Sequence, residues 1–349
     1  MYRTESLEVW NLTSGGLART GALNRFLVVG RLLDRGLGGR RLTYRLNGGA
    51  PGPVAQNPTS VMQDRMAPWT FGIDSILTTD LRSENELTLC LDGAAAPLAR
   101  IPFRCEALPG GPVCDVNDRL AGAVNIEEVA QVVDGPWSVT ESSGRPVVEL
   151  GRDGAGYDRV CLFTQPLADG YRIDATLRVT HFKHPAHNVG LVFKWNDHEV
   201  GDGTTLPTKW NTGLAYFYSS SPGLRLRVGV GVHIDASGHK VGDHVFDEHV
   251  MSHARRWGGG VLSRLPPRGL IISQLRRNVP YRFVAEIAAE RYTLRVGPPD
   301  APAAHVLETS APPNLLPTGA AGIIALNTAV VVERFAVEPL PTPTDSPRG

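Results

Sequence analysis

The chain has 349 residues, long enough for two domains that each bury a core. Its 35 Lys+Arg balance 35 Asp+Glu, so the basic excess that a nucleic-acid partner calls for is missing. No run reaches the ~18–20 apolar residues of a membrane span, and 38 Gly with 27 Pro favour short strands and turns over helices.

The opening "MYRTESLEVW" lacks the basic and apolar regions of a secretory leader, which implies a cytoplasmic protein. A secreted chain whose leader had been removed would start the same way. Strands follow at "RFLVVGRL" (25–32), "RLTYRLNGG" (41–49), "WTFGIDSI" (69–76) and "ENELTLCLDG" (84–93), each bounded by turn formers. In the last of these Leu87, Leu89 and Leu91 share one face, and "LNGG" marks a tight turn. Residues 1–105 are thus expected to form a small antiparallel β-sandwich. "EALPGGPVCDVND" (106–118) has turn formers and no periodicity, which places a linker at 106–119. Cys105 and Cys114 bracket its Pro/Gly turn and would pair in an oxidising compartment; as ordinary thiols they would be buried or idle. No CxxC spacing occurs among the four cysteines, which argues against a thiolate zinc site. "NIEEVAQVV" (125–133) predicts a short helix.

Alternation is clearest between residues 120 and 340. In "YRIDATLRVTHF" (171–182), Tyr171, Ile173, Ala175, Leu177 and Val179 face one way, and Arg172, Asp174, Thr176, Arg178 and Thr180 the other. "NVGLVFKWND" (188–197) puts Leu191, Phe193 and Trp195 inward, and Val192, Lys194 and Asn196 outward. "GLAYFYSS" (213–220) is the next strand. "LRLRVGVGVHI" (224–234) has Leu226, Val228 and Val230 on one face, with Arg225, Arg227, Gly229, Gly231 and His233 on the other. "YRFVAEIAAERYTLRV" (281–296) predicts a hairpin, and "GAAGIIALNTAVVVERFAVEPL" (319–340) closes the domain with two strands. Such regularity predicts two sheets packed face to face. The tail 341–349 is expected to be disordered.

That order of strands, from the Gly-apolar-apolar-Phe-x-Trp-Asn-Asp segment to the closing Gly-rich pair, resembles the concanavalin A-like lectin/glucanase jelly rolls. These include laminin-G-like modules, laminarinase-type hydrolases and the domain assigned to 3-keto-glycoside hydrolysis. The first domain is similar to the immunoglobulin-like sandwiches that accompany such modules. The fold class expected is therefore all-β, an immunoglobulin-like sandwich followed by a concanavalin A-like jelly roll. The resemblance implies an oligo- or polysaccharide partner on a sheet groove, and a structural calcium ion as a guest. Asp153, Asp158 and Asn327 lie near turns where such an ion would be held. The Glu-x-Asp-x-x-Glu motif of the laminarinase type is absent.

Three constellations carry candidate chemistry. The outward face of 224–234 loses side chains at Gly229 and Gly231, leaving a floor where a ligand meets backbone. Arg225 and Arg227 would line it, with Lys194, Asn196 and His198 on the same wet face, a cationic groove suited to an acidic sugar. Asp197 and Glu199, two residues apart on an extended chain, have Cα atoms ~6.6 Å apart, compatible with a retaining glycosidase pair. His233 with Tyr216 or Tyr218 would instead serve proton transfer, as β-elimination from a uronate requires, an arginine neutralising the carboxylate. Of ten histidines, five fall in "GVHIDASGHKVGDHVFDEHVMSH" (231–253) and four, His181, His184, His187 and His198, shortly before; their spacing fits no compact metal-ligand set, a tetrahedral site assembled across the two clusters stays open, and a lid over the groove is the expectation for 231–253. Trp210 and Trp257 lie in loops as sugar platforms. The alternatives to glycosidic cleavage are a non-catalytic carbohydrate-binding module and an intracellular cyclase or isomerase acting on a small molecule.

Overall fold

The computed structural model describes residues 1–12, 16–22, 25–37, 40–56, 70–92, 94, 96–111, 113–156, 159–183, 187–195, 213–220, 223–230, 246–250, 276–303, 305–311 and 318–341. Regular structure among these is strand almost throughout, with one α-helix, Val116–Leu120. The strands form two β-sandwiches.

The smaller sandwich has two five-stranded sheets. One is ordered Tyr2–Arg3, Leu7–Val9, Arg25–Leu32, Thr70–Leu77, Ala55–Gln56; the other Leu17–Thr20, Ala99–Ala107, Glu84–Leu91, Leu42–Leu46, Gly52–Pro53. Period-two alternation puts Leu87 and Leu89 into its core with Ile101 and Phe103, and Phe103 stacks on Phe26 at 5.2 Å between centroids. Asn47 and Gly48 both take positive φ, 53° and 73°, the backbone that an Asn-Gly hairpin turn requires. The pairing is not wholly antiparallel, because the 99–107 strand runs parallel to 17–20.

The larger sandwich packs two eight-stranded sheets. An outer sheet runs Trp137–Ser142, Arg145–Leu150, Thr328–Pro339, Tyr171–Phe182, Pro280–Ile287, Arg291–Gly297, His305–Ser310, with Cys114–Asp115 added beside 328–339. An inner sheet runs Gln131–Asp134, Arg159–Leu162, Thr318–Leu326, His187–Trp195, Gly213–Ser220, Gly223–Val230, Phe246–Val250, with Leu167–Ala168 beside 318–326. Ile173, Ala175, Leu177 and Val179 of the outer sheet share a core with Val189, Leu191, Phe193, Ala215 and Phe217 of the inner one. The opposite face of the outer sheet is wet and charge-paired, as the alternation of 171–182 predicts: Arg172 with Glu338, Asp174 with Arg282, Arg178 with Glu333. Each sheet takes one of the two closing strands, 318–326 and 328–339.

The inner sheet is covered on part of its second face as well. Its second face packs Val133, Val160, Leu162, Val192, Tyr216 and Ile324 against Ala22, Leu27 and Leu108, and so joins the two sandwiches. Double coverage explains why the helix expected at 125–133 is not there. Its apolar spacing fits a helix face, yet the segment is a single 3-10 turn, Ile126–Glu128, and then the 131–134 strand. Val132 enters the main core and Val133 the junction, so a strand buries both neighbours where a helix could not. Within 106–119, expected to be a linker, Cys114–Asp115 joins the outer sheet and Val116–Leu120 is the helix, capped by the Asp115 side chain on Asn117 N–H at 2.9 Å. Cys105 and Cys114 are both free thiols, so the pairing considered for them is not made. Burial pushes the Cys105 thiol up to about 11.

Glu127 is buried at this junction, and burial pushes its carboxyl from the ordinary 4.5 up to about 7. The Met1 amino group at 3.6 Å and the residue's own backbone pull the other way, while Glu128 adds to the rise. The folded state therefore holds a proton that the unfolded state has lost between pH ~4.5 and ~7, and stability falls as pH rises through that window. The full cost above pH 7 is about 3 kcal/mol. Denaturant titrations of Glu127→Gln at pH 5 and pH 8 should show a smaller loss between the two than wild type; equal losses would contradict the assignment.

Candidate functional site

Register in the inner sheet aligns the tyrosines and arginines that the sequence singles out. Residues paired directly across an antiparallel ladder share a face, and the ladder pairs Tyr218 with Arg225 and Tyr216 with Arg227. On the far side of 223–230, Arg227 is paired with Glu248 and Arg225 with Val250. On the near side, Tyr218 is paired with Asn188 and Tyr216 with Gly190. Two parallel rows result: Asn188, Tyr218, Arg225 and Gly190, Tyr216, Arg227, Glu248. Leu226 and Val228 are paired with Phe217 and Ala215, two residues of the core.

Gly190 gives the second row its floor. A Cβ there would collide with Ala215 O and with Tyr216 Cα, so only glycine lets the two strands approach this closely. Asn188, on the first row, has its side-chain oxygen buried without a hydrogen-bond partner. An orphaned buried acceptor calls for a donor from water or ligand. Asn188 was not singled out by sequence reasoning, and of Asp247 and Glu248 only one could join a site. Adjacent Asp247 and Glu248 are indistinguishable until the ladder pairs Glu248 with Arg227 and Asp247 with Val228.

Tyr216 is buried, in one cluster with Val192, Trp195 and Ile324, which corrects its expected place in an open groove. Lys194 departs further. It was expected on the wet face, but its side chain is 3% exposed and its Nζ lies 2.6 Å from Asp169 Oδ1 and 5.4 Å from the Tyr292 ring centre. The cause is a bulge. The ladder to 318–326 pairs Val192 with Gly322 and then Trp195 with Ala320, and Lys194 takes φ +52° inside the gap. The extra residue inverts the alternation, so Trp195, expected in the sandwich core, is buried on the opposite face at the junction. Burial raises the hydroxyl groups of Tyr171 and Tyr292 beside this pair far above their ordinary range.

Asn196, Asp197, His198, Glu199, Trp210, His233 and Trp257 lie outside the described residues. Part of the segment expected to be a lid is a strand, 246–250, with His249 paired to Leu226. His187 is buried and packs on Phe182 at 4.2 Å, which removes it from any open site. Among the described residues no three His, Cys, Asp or Glu side chains form a metal-ion set. Asp153 and Asn327 do not build one; Asn327 closes the turn before 328–339 with φ +51° and donates its N–H to Gly156 O. Asp158 lies outside the described residues. Among the described residues there is no ligand set for the calcium ion that the resemblance implies.

No protein-family model and no curated protein matches the chain. Solved structures align with it at low identity. The carbohydrate binding module CBM66 from Bacillus subtilis gives a TM-score of 0.35 at 11% identity, over 60% of this chain and 94% of its own. Lectin II from Ulex europaeus gives 0.37 at 9%, over 67% and 100%. The GH43 BlXynB protein from Bacillus licheniformis gives 0.36 at 12%, over 90% and 51%. Scores of this size carry nothing about ligand or reaction; the β-sandwich architecture rests on the sheets themselves.

Proposed function

We propose that the chain is a carbohydrate-active protein that receives an acidic oligosaccharide on the second face of the inner sheet. The observation that carries this reading is the pair of rows in which Asn188, Tyr218 and Arg225 lie beside Gly190 and Arg227. Arginine supplies forked donors to a uronate carboxylate. Tyrosine offers an apolar plane with a polar tip, and the orphaned Asn188 oxygen accepts from a sugar hydroxyl.

Cleavage of a glycosidic linkage is the finer reading, and the residue types in these rows favour elimination. In that reaction a base removes the proton next to the carboxylate and the linkage oxygen leaves with the electron pair, giving an unsaturated product. An arginine that neutralises the carboxylate stabilises the anion formed on the way. With Tyr216 buried, Tyr218 and His233 are the proton-transfer groups of this reading. Hydrolysis by Asp197 and Glu199 is the competing chemistry.

Incubation with neutral and uronate-containing oligosaccharides, with and without chelator, tests both levels by product mass. Unsaturated products from uronates alone are expected, unaffected by chelator. Products that have gained water would replace elimination with hydrolysis. Arg225→Ala and Arg227→Ala should each weaken uronate binding by ~10–100-fold, the worth of a charged hydrogen bond. Unchanged binding in both would remove this face as the site.

A further inference from the structure

A second cavity lies away from this face, in the cleft between the two sandwiches. Its volume is about 450 Å³, within the ~300–1,000 Å³ usual for small-molecule sites. One wall belongs to the smaller sandwich. Arg19 and Glu106 are directly paired across the parallel ladder there, and Arg104 stands two residues before Glu106. Arg119, at the end of the helix, and Asn125 and Glu128, in the turn that follows, form the other wall.

The charges in this cleft do not cancel. Glu106 is shared: one oxygen takes Arg19 Nη1 at 2.9 Å and the other Arg104 Nε at 3.2 Å. Glu128 is turned onto its own loop, where Oε1 accepts from the N–H groups of Val124 and Asn125 and from Asn125 Nδ2. Among the described residues Arg119 donates to the carbonyl oxygens of Phe163 and Pro109 and to no carboxylate. Three guanidinium groups therefore face two carboxylates, leaving one positive charge in excess. Arg104 engages Glu106 through Nε alone, so its two terminal nitrogens remain available to a ligand.

We propose that this cleft binds a small molecule carrying a single carboxylate, held between Arg104 and Arg119. A planar carboxylate matches the guanidinium fork. One excess positive charge suits a monoanion, while the two glutamates oppose a dianion such as phosphate. Because the walls come from different sandwiches, a bound ligand ties them together and stabilises the folded chain by mass action. The inference is independent of the carbohydrate reading of the sheet face.

Calorimetric titration of the full chain with D-glucuronate, D-glucose and inorganic phosphate tests it, with melting temperature followed in parallel. Saturable binding of glucuronate, a raised melting temperature and weaker binding of the other two are expected. Arg104→Gln is the clean variant, since this side chain is exposed and its ion pair among the described residues is to Glu106. It should lower glucuronate affinity about tenfold or more, with the ligand-free melting temperature unchanged, and Arg225→Ala should leave this binding intact. The proposal fails if Arg104→Gln binds glucuronate as wild type does, if phosphate binds more tightly, or if ~10 mM glucuronate, well above the Kd of even a weak millimolar site, gives no binding. Loss in Arg225→Ala alone would move glucuronate to the sheet face and equally overturn the cleft site.

Discussion

Replacing Arg159 by alanine is expected to cost about 3–5 kcal/mol of stability, the penalty for breaking a buried ion pair by removing one partner. Arg159 is 2% exposed, and its Nη1 lies 2.6 Å from Asp134 Oδ1, itself on the edge strand of the inner sheet. Nε donates to Gly154 O at 3.2 Å. The guanidinium plane sits 4.6 Å from the ring centre of Trp10, a residue of the smaller sandwich, and a desolvated cation–π contact adds about 2 kcal/mol. Trp10 Nε1 donates to Glu8 Oε1 at 2.8 Å, and Arg31 Nε is 2.6 Å from the same oxygen. One buried relay, Arg31–Glu8–Trp10–Arg159–Asp134, thus crosses the junction. Gly135 makes room for it, since with φ +94° a Cβ there would press on the Arg159 side chain. Arg159→Lys keeps the charge but not the plane or the fork, and should fall between wild type and alanine. The double variant Arg159→Met with Asp134→Leu should recover most of the loss, because an apolar pair leaves no stranded charge. Denaturant midpoints together with tryptophan fluorescence at Trp10 measure this. A wild-type midpoint for Arg159→Ala would mean that the relay does not hold the junction.

Strands were legible where one face is packed and the other is wet. The 171–182 segment keeps its bounds, with Arg172 and Arg178 part-exposed between buried neighbours; 25–32 and 213–220 keep their bounds as well. Legibility fails where both faces are covered. The 159–162 strand is buried at all four residues, so Arg-Val-Cys-Leu shows no alternation and gave no strand signal. The 131–134 strand fails in the same way, and its apolar spacing imitates a helix. For the site, the cross-strand neighbours of Arg225 and Arg227 depend on register, which a single strand does not carry. The face that was expected to be an open groove is in part the junction between sandwiches, and nothing in the 188–197 sequence announces that Ala22, Leu27 and Leu108 cover it. The glycines were the readable trace: Gly190, Gly319 and Gly322 all stand where a Cβ would strike a neighbouring strand.

Asp169→Asn is the second large effect expected, again ~3–5 kcal/mol, because it strands a buried ammonium group. Asp169 stands in the turn before the 171–182 strand, and its carboxylate is the charge partner of Lys194 in the bulge. Gly319 carries the neighbouring strand past that bulge so closely that a Cβ would meet the Lys194 backbone, which fixes where the side chain must go. Its (CH₂)₄ stem runs into the interior, and Nζ ends between Asp169 and the face of Tyr292. Neither Tyr171 nor Tyr292 can take over the carboxylate's part, since burial holds both hydroxyls neutral. Lys194→Met in the Asp169→Asn background removes the stranded charge and should restore stability relative to Asp169→Asn alone. Lys194→Gly separates two contributions: it gives up the ion pair but relieves a non-glycine residue at φ +52°, so it should cost less than Asp169→Asn. Denaturant unfolding of the four proteins tests the order. If Asp169→Asn matched wild type, the bulge would be set by strand packing alone, and Lys194 would be free to serve the wet face for which its sequence position first suggested it.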